Sequence, residues 1–174
     1  GELDYPGGIA VGPDGRVYVA DQTNHRVQVF DREGKFLTRW GEFGTGEGEF
    51  GGNITEKSRT GGPQFVAVGA DGSLFTTEGS MCRVQRFTPE GKFLQTWGRD
   101  AEGPGGFGGG WLGGSLKGPV GICADGGTLW VTSVNGRVQQ FTPEGEFLRG
   151  LLEEPGDEPG QFHAPHGVAV DGQG

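Results

Sequence analysis

The sequence predicts an all-β fold of repeated four-stranded antiparallel units, and three observations carry that reading. First, 39 of the 174 residues are glycine, far above ordinary usage, so the chain is either disordered or made of turns and short strands. Second, Val, Phe, Trp, Leu and Ile recur in short regular clusters, which a disordered low-complexity chain lacks. Third, three segments share one order of apolar pairs, turn residues and a single arginine, so the chain is an internal repeat.

The first repeat sets the register. It runs Pro6-Gly-Gly-Ile-Ala-Val11, Asp14-Gly15, Val17-Tyr-Val-Ala-Asp21, Asn24-His-Arg-Val-Gln-Val-Phe30, Glu33-Gly34 and Phe36-Leu-Thr-Arg-Trp-Gly41. The second carries Phe65-Val-Ala-Val68, Leu74-Phe75, Arg83-Val-Gln-Arg-Phe87 and Phe93-Leu94. The third carries Ile122-Cys-Ala124, Leu129-Trp-Val131, Arg137-Val-Gln-Gln-Phe141 and Phe147-Leu148, and a fourth begins at Pro165-His-Gly-Val-Ala-Val170.

Each unit holds four apolar clusters of four to six residues, which is the length of strands rather than helices. They are called a, b, c and d. Asp14-Gly15, Asp71-Gly72 and Gly126-Gly127 turn a into b, with glycine supplying the positive φ such hairpins need. Between c and d, Thr88-Pro-Glu-Gly91 and Thr142-Pro-Glu-Gly145 suit a type I turn closed by a left-handed glycine, and Asp31-Arg-Glu-Gly34 fills that place in the first unit. Four antiparallel strands recurring at intervals of roughly 40 to 57 residues make the blades of a β-propeller, each of which must stack on neighbours to bury both faces. The predicted blades are 6–41, 63–98 and 119–150, with the first strand of a fourth at 165–170.

At Asn24-His25-Arg26-Val27, with Val-Tyr-Val-Ala-Asp before and Val-Phe-Asp-x-x-Gly-Lys-Phe after, the sequence resembles the NHL-repeat family. The resemblance is strong in the first blade. It is looser in the third, where Asn135-Gly136-Arg137 shortens the b–c loop and Gly150 stands where Trp40 and Trp97 stand earlier. It implies a six-bladed ring, of which this chain supplies about half, so the chain reads as a segment of a longer protein.

Charge and composition narrow the function. A net charge of −9 opposes a phosphate backbone and argues against nucleic acid as partner. No apolar run approaches the roughly 20 residues that span a bilayer, so this segment is not expected to insert into a membrane. Cys82 and Cys123 are too few for a disulfide framework and show no zinc-ligand spacing. Gly44-Thr-Gly-Glu-Gly48 superficially matches a phosphate loop but has neither a strand before it nor a helix after it, so it reads as a flexible loop.

Arg26, Arg83 and Arg137 occupy one equivalent position, with Asp21 or Glu78 ending the preceding strand. A position repeated in every blade serves blade geometry, and His25 is read the same way. His166 differs, because its equivalents are Gly7, Gln64 and Val120. The stretch Phe162-His-Ala-Pro-His-Gly-Val-Ala-Val170 resembles the strand that carries a zinc-binding histidine in the peptidyl-hydroxyglycine amidating lyases. That resemblance implies zinc at His166 only if other blades bring further ligands, since a catalytic zinc takes about three. His163 lies three residues earlier and points to the opposite side of an extended strand.

The d–a connections are distinctive. Two residues separate Phe162 from Pro165, whereas 51–62 and 108–118 separate Phe50 from Pro63 and Phe107 from Pro119. Such insertions are usually functional or disordered. They bring Lys57 and Arg59 on one side and Trp111, Leu112 and Lys117 on the other, and Trp111 in particular has the character of an interface anchor. Asn53-Ile-Thr55 fits a glycosylation triplet that also arises by chance. The expected function is a non-catalytic interaction scaffold or accessory subunit binding a protein partner, without a cofactor. The alternatives are a zinc-dependent lyase using His166 and the ligand-sensing domain of a membrane receptor.

Overall fold

The structure is a computed structural model that describes residues 2–51, 61–108, 118–152 and 156–171. Among them there is no helix. Strands β1 (Pro6–Val11), β2 (Val17–Asp21), β3 (Arg26–Phe30) and β4 (Phe36–Trp40) form the first four-stranded sheet. The short β5 (Phe43–Gly44) and β6 (Phe50–Gly51) pair in parallel within the connection that follows. Strands β7 (Phe65–Val68), β8 (Leu74–Glu78), β9 (Arg83–Phe87) and β10 (Phe93–Trp97) make the second sheet. The third consists of β11 (Pro119–Asp125), β12 (Thr128–Ser133), β13 (Arg137–Phe141) and β14 (Phe147–Leu152). Each is an antiparallel meander in sequence order, the topology of a propeller blade.

The turns follow their glycines. Gly15, Gly72, Gly126 and Gly127 in the a–b turns have positive φ, as do Gly34, Gly91 and Gly145 in the c–d turns. The b–c loops share a less obvious device. His25, Cys82 and Gly136, each immediately before the repeated arginine, all adopt the left-handed conformation at φ of 53°, 51° and 83°. Only the third blade has glycine there, and its loop is one residue shorter, with Ser133 opposite Arg137 where Asp21 faces Arg26 and Glu78 faces Arg83.

Alternation along each strand sends neighbouring residues to opposite faces, so a middle blade must be apolar on both. In β7 and β8, Val66 and Leu74 join Tyr18, Ala20, Val27, Val29, Phe50 and Phe87 in one buried cluster. Ala67 and Phe75 join Val84, Phe107, Ile122, Leu129, Val131 and Phe141 in another. One cluster therefore lies at each junction between blades.

The tryptophans that end β4 and β10 close these junctions. A Cβ on Gly91 would sit 2.2 Å from the Trp40 ring, and one on Gly145 would sit 2.5 Å from the Trp97 ring. Each indole thus lies flat on the c–d turn of the next blade. Phe50 and Phe107 pack beneath in the same way, against Gly41 and Gly98.

Residues 165–170, expected as a strand, form no ladder among the described residues. A strand a is paired by strand b of its own blade, and no such strand follows them in the described residues. They instead lie along the third blade, with the His166 carbonyl against Gly121.

Candidate functional site

In each blade the d–a connection and the b–c loop meet at one edge, because strands a to d run alternately away from and back to it. The geometry there is built from a carboxylate, an arginine and a glutamine. In the first blade Arg26 pairs with Asp21 at 2.7 Å and donates to the Glu2 carbonyl, to which Gln28 also donates. Asn24 and the Asp4 N–H complete the shell around Asp21. In the second, Arg83 pairs with Glu78 at 2.7 Å and donates to the carbonyls of Thr45 and Glu49, while Gln85 donates to Glu49 and accepts from the Gly48 N–H. In the third, Ser133 replaces the acid; Arg137 reaches the Gly103 carbonyl, and Gln139 donates to Gly106 and accepts from Gly105.

The repeated arginines therefore fasten the incoming connection to the blade it is about to enter. Sequence reasoning singled out the arginine and its carboxylate and passed over the glutamine two residues on, although Arg-Val-Gln recurs in all three blades. The same bonds correct the expectation of a flexible loop at Gly44–Gly48. That stretch is closed by the Glu49 carboxylate on the Gly46 N–H at 2.8 Å and tied down by Arg83 and Gln85.

Glu78 is fully buried and Arg83 nearly so. Burial pushes the Glu78 carboxyl above its ordinary range, opposed by Arg83, Gln85 and the Gly51 N–H. His25 is buried with its ring edge-on to Phe43 at 4.9 Å, so it lies in the packing beneath the first connection. The Cys123 thiol is also pushed up, first by burial and then by Asp125, which makes it a poor nucleophile.

A second link joins the strands nearest the propeller axis. Gly8 N–H donates to the Gln64 carbonyl of the next blade at 2.7 Å. In the second blade a threonine hydroxyl is inserted: Phe65 N–H donates to Thr77 Oγ1, which donates to the Val120 carbonyl. Thr132 does the same between Gly121 and the His166 carbonyl, at 2.9 and 3.4 Å. Ala20 holds the equivalent place in the first blade, which is why the amide there must reach across directly.

This register sets the His166 backbone in line with Gln64 and Val120, with its side chain exposed. The residues present do not fit a zinc centre. The in-line positions are Gly7, Gln64 and Val120, and among the described residues no three His, Cys, Asp or Glu groups come together to hold a metal. His163 lies 3.2 Å from Asp157.

Lys57, Arg59, Trp111, Leu112 and Lys117 lie outside the described residues. The residues that flank them are placed. Gly62 abuts the Gln22 carbonyl and Gly118 abuts the Gly79 carbonyl, so each connection ends on the b–c loop of the preceding blade. The Gly108 carbonyl accepts from Asn135 at 2.8 Å. Both insertions thus leave and return at the same edge. No helix among the described residues is long and apolar enough to cross a membrane.

Comparison with known proteins agrees with this architecture. The NHL repeat model matches residues 3–30. The chain is similar to RING finger protein nhl-1 of Caenorhabditis elegans, 47% identical over 49 residues that make 28% of this chain and 5% of that protein. It is similar to protein brain tumor of Drosophila melanogaster, 33% identical over 100 residues that make 56% of this chain and 9% of that one. The chain therefore spans less than a tenth of the length of either relative. Among solved structures it resembles virginiamycin B lyase from Staphylococcus aureus, with a TM-score of 0.58 at 20% identity over 93% of this chain and 44% of the other. It also resembles Kuenenia stuttgartiensis hydrazine synthase, with a TM-score of 0.63 at 17% identity over 99% and 41%. At these identities the likeness is one of fold. The chain thus carries an NHL repeat in its first blade, followed by two further β-propeller blades built on the same Arg-Val-Gln fastening.

Proposed function

We propose that this chain is a non-catalytic NHL-repeat propeller that holds or recognises a protein partner through the edge bearing its long connections. The observation that supports this is the seating of those connections. Their described ends, Gly51 and Gly62 on one and Gly108 and Gly118 on the other, are buried and seated at equivalent places on adjacent blades. The described ends of both connections are therefore fixed points on one edge. Their sequences include Lys57 and Arg59 in one and Trp111, Leu112 and Lys117 in the other, and of these tryptophan and arginine are the types enriched in binding hot spots.

The polar residues repeated along this edge are engaged in holding the connections, and the architecture itself leaves function to grafted loops. Replacing Trp111 by Ala is expected to weaken binding of a protein captured by the whole protein by about 2 kcal/mol or more, with thermal unfolding of the propeller unchanged. Titration calorimetry of the variant against that partner is the test. Undiminished affinity would remove the reading's main support.

A further inference from the structure

The edge opposite the connections carries a feature that the repeat does not explain. The a–b turns of the second and third blades and the c–d turn of the third enclose a cavity of about 430 Å³. Val68, Phe75, Leu129 and Pro143 give it apolar walls, and Asp71, Asp125 and Glu144 stand around it. Among the described residues Arg86 is the one cation that lines it, and its charge is engaged. It pairs with Asp71 at 2.7 Å and Glu144 at 3.2 Å, with its guanidinium 5.5 Å from the centre of the Phe75 ring.

One guanidinium against three carboxylates leaves the cleft with an excess of two negative charges. The Asp71 and Glu144 side chains are 55% and 63% exposed, so that excess faces the mouth. Burial opposes ionisation of Asp71, but the Ser73 N–H and hydroxyl and Arg86 outweigh it and hold the carboxyl below its ordinary range.

The equivalent junction between the first and second blades is built differently. Tyr18 stands in place of Phe75 and Val29 in place of Arg86, and Arg16 and Asp14 pair with each other there. The third blade also has two successive glycines in its a–b turn, where a Cβ on either Gly126 or Gly127 would meet nothing. A feature present at one of the two described junctions is not required by blade geometry.

We infer that this cleft takes a lysine or arginine side chain, flanked by an apolar residue, from a short segment of a protein partner. The aliphatic stem of such a side chain would lie along Val68, Ala124 and Pro143, leaving its charged head among the carboxylates. Charge complementarity of this kind sets specificity and orientation more than raw affinity. The inference rests on the chain being a protein-interaction module, but it places a second contact on the edge away from Trp111.

The experiment uses two synthetic peptides, acetyl-Leu-Arg-Leu-amide and acetyl-Leu-Glu-Leu-amide, titrated into the chain and followed by backbone amide chemical shifts. The arginine peptide is expected to shift residues 68–71 and 124–129 and to bind at least about tenfold more tightly than the glutamate peptide, with affinity falling as salt rises. Asp125→Asn combined with Glu144→Gln should weaken the arginine peptide by about tenfold while amide shifts elsewhere stay in place, and Trp111→Ala should leave it unchanged. Equal binding of the two peptides, shifts mapping outside these turns, or an unaffected double variant would overturn the cleft assignment. A Trp111→Ala variant that loses nothing against a partner would count against the reading of the edge bearing the long connections alone.

Discussion

At the residue scale the most consequential group is Glu78, a carboxyl with no exposed surface held by Arg83, Gln85 and the Gly51 amide. Removing it strands a buried guanidinium, and breaking such a pair costs about 3–5 kcal/mol. Glu78→Ala is therefore expected to lose that much stability in urea unfolding, and Glu78→Gln, which keeps an acceptor for Arg83, to lose less. The pH dependence has a definite sign. Because burial raises the folded carboxyl, the native state binds more protons than the unfolded chain, so its contribution is fully present below the ordinary glutamate range and is lost as pH rises through the folded value. The wild type should thus lose stability relative to Glu78→Gln as pH rises above the ordinary glutamate range. A difference that is flat or grows with pH would contradict the assignment.

At the element scale the c–d turns allow a comparison within one molecule. Gly34 and Gly91 are equivalent, with φ of 81° and 85°. A Cβ on Gly34 meets nothing, whereas one on Gly91 runs into the indole of Trp40. Gly34→Ala should cost only the left-handed strain, about 1–2 kcal/mol. Gly91→Ala should cost about 1–3 kcal/mol more from overpacking, and Trp40→Ala should recover part of that excess. Equal losses at the two turns in thermal unfolding would show that the indole does not clamp the turn.

Most of these elements were legible in the sequence because hairpin chemistry is local: Asp-Gly and Pro-Glu-Gly sit next to the strands they join. The left-handed residue before each repeated arginine was not, since His25 and Cys82 carry no sign of positive φ and only Gly136 does. Nor was the fastening of Gly44–Gly48, which depends on Arg83 and Gln85 more than thirty residues away. The threonine links of Thr77 and Thr132 cross between blades, and Ala20 breaks the pattern. The cleft around Arg86 was equally hidden, because its lining comes from turns of different blades.

At the scale of the whole molecule the core is divided, with one apolar cluster per junction and the two faces of the middle blade serving different clusters. Phe87 belongs to the first and Phe141 to the second. Truncating either to Ala should cost about 3–5 kcal/mol. Because the two share no cluster, the double variant should match the sum of the singles within about 0.5 kcal/mol in equilibrium unfolding. A strong coupling between them would mean that the blades do not act as separable neighbours.

The fastening of each connection by the blade it enters has a consequence for how such a molecule can change. Arg83 and Gln85 grip Thr45 to Glu49, and the Gly51 amide meets Glu78, all upstream of residues 52–60; Gly62 is seated on Gln22 downstream of them. The anchor points on either side of that stretch therefore belong to the blades. Loop-closure entropy grows slowly, by about 0.6 kcal/mol for each doubling of length. Exchanging 52–60 for a polar stretch of twice the length should therefore lower stability by no more than about that amount, as read in urea unfolding. Recognition surfaces could then diversify from one protein to the next while the blades beneath them stayed the same.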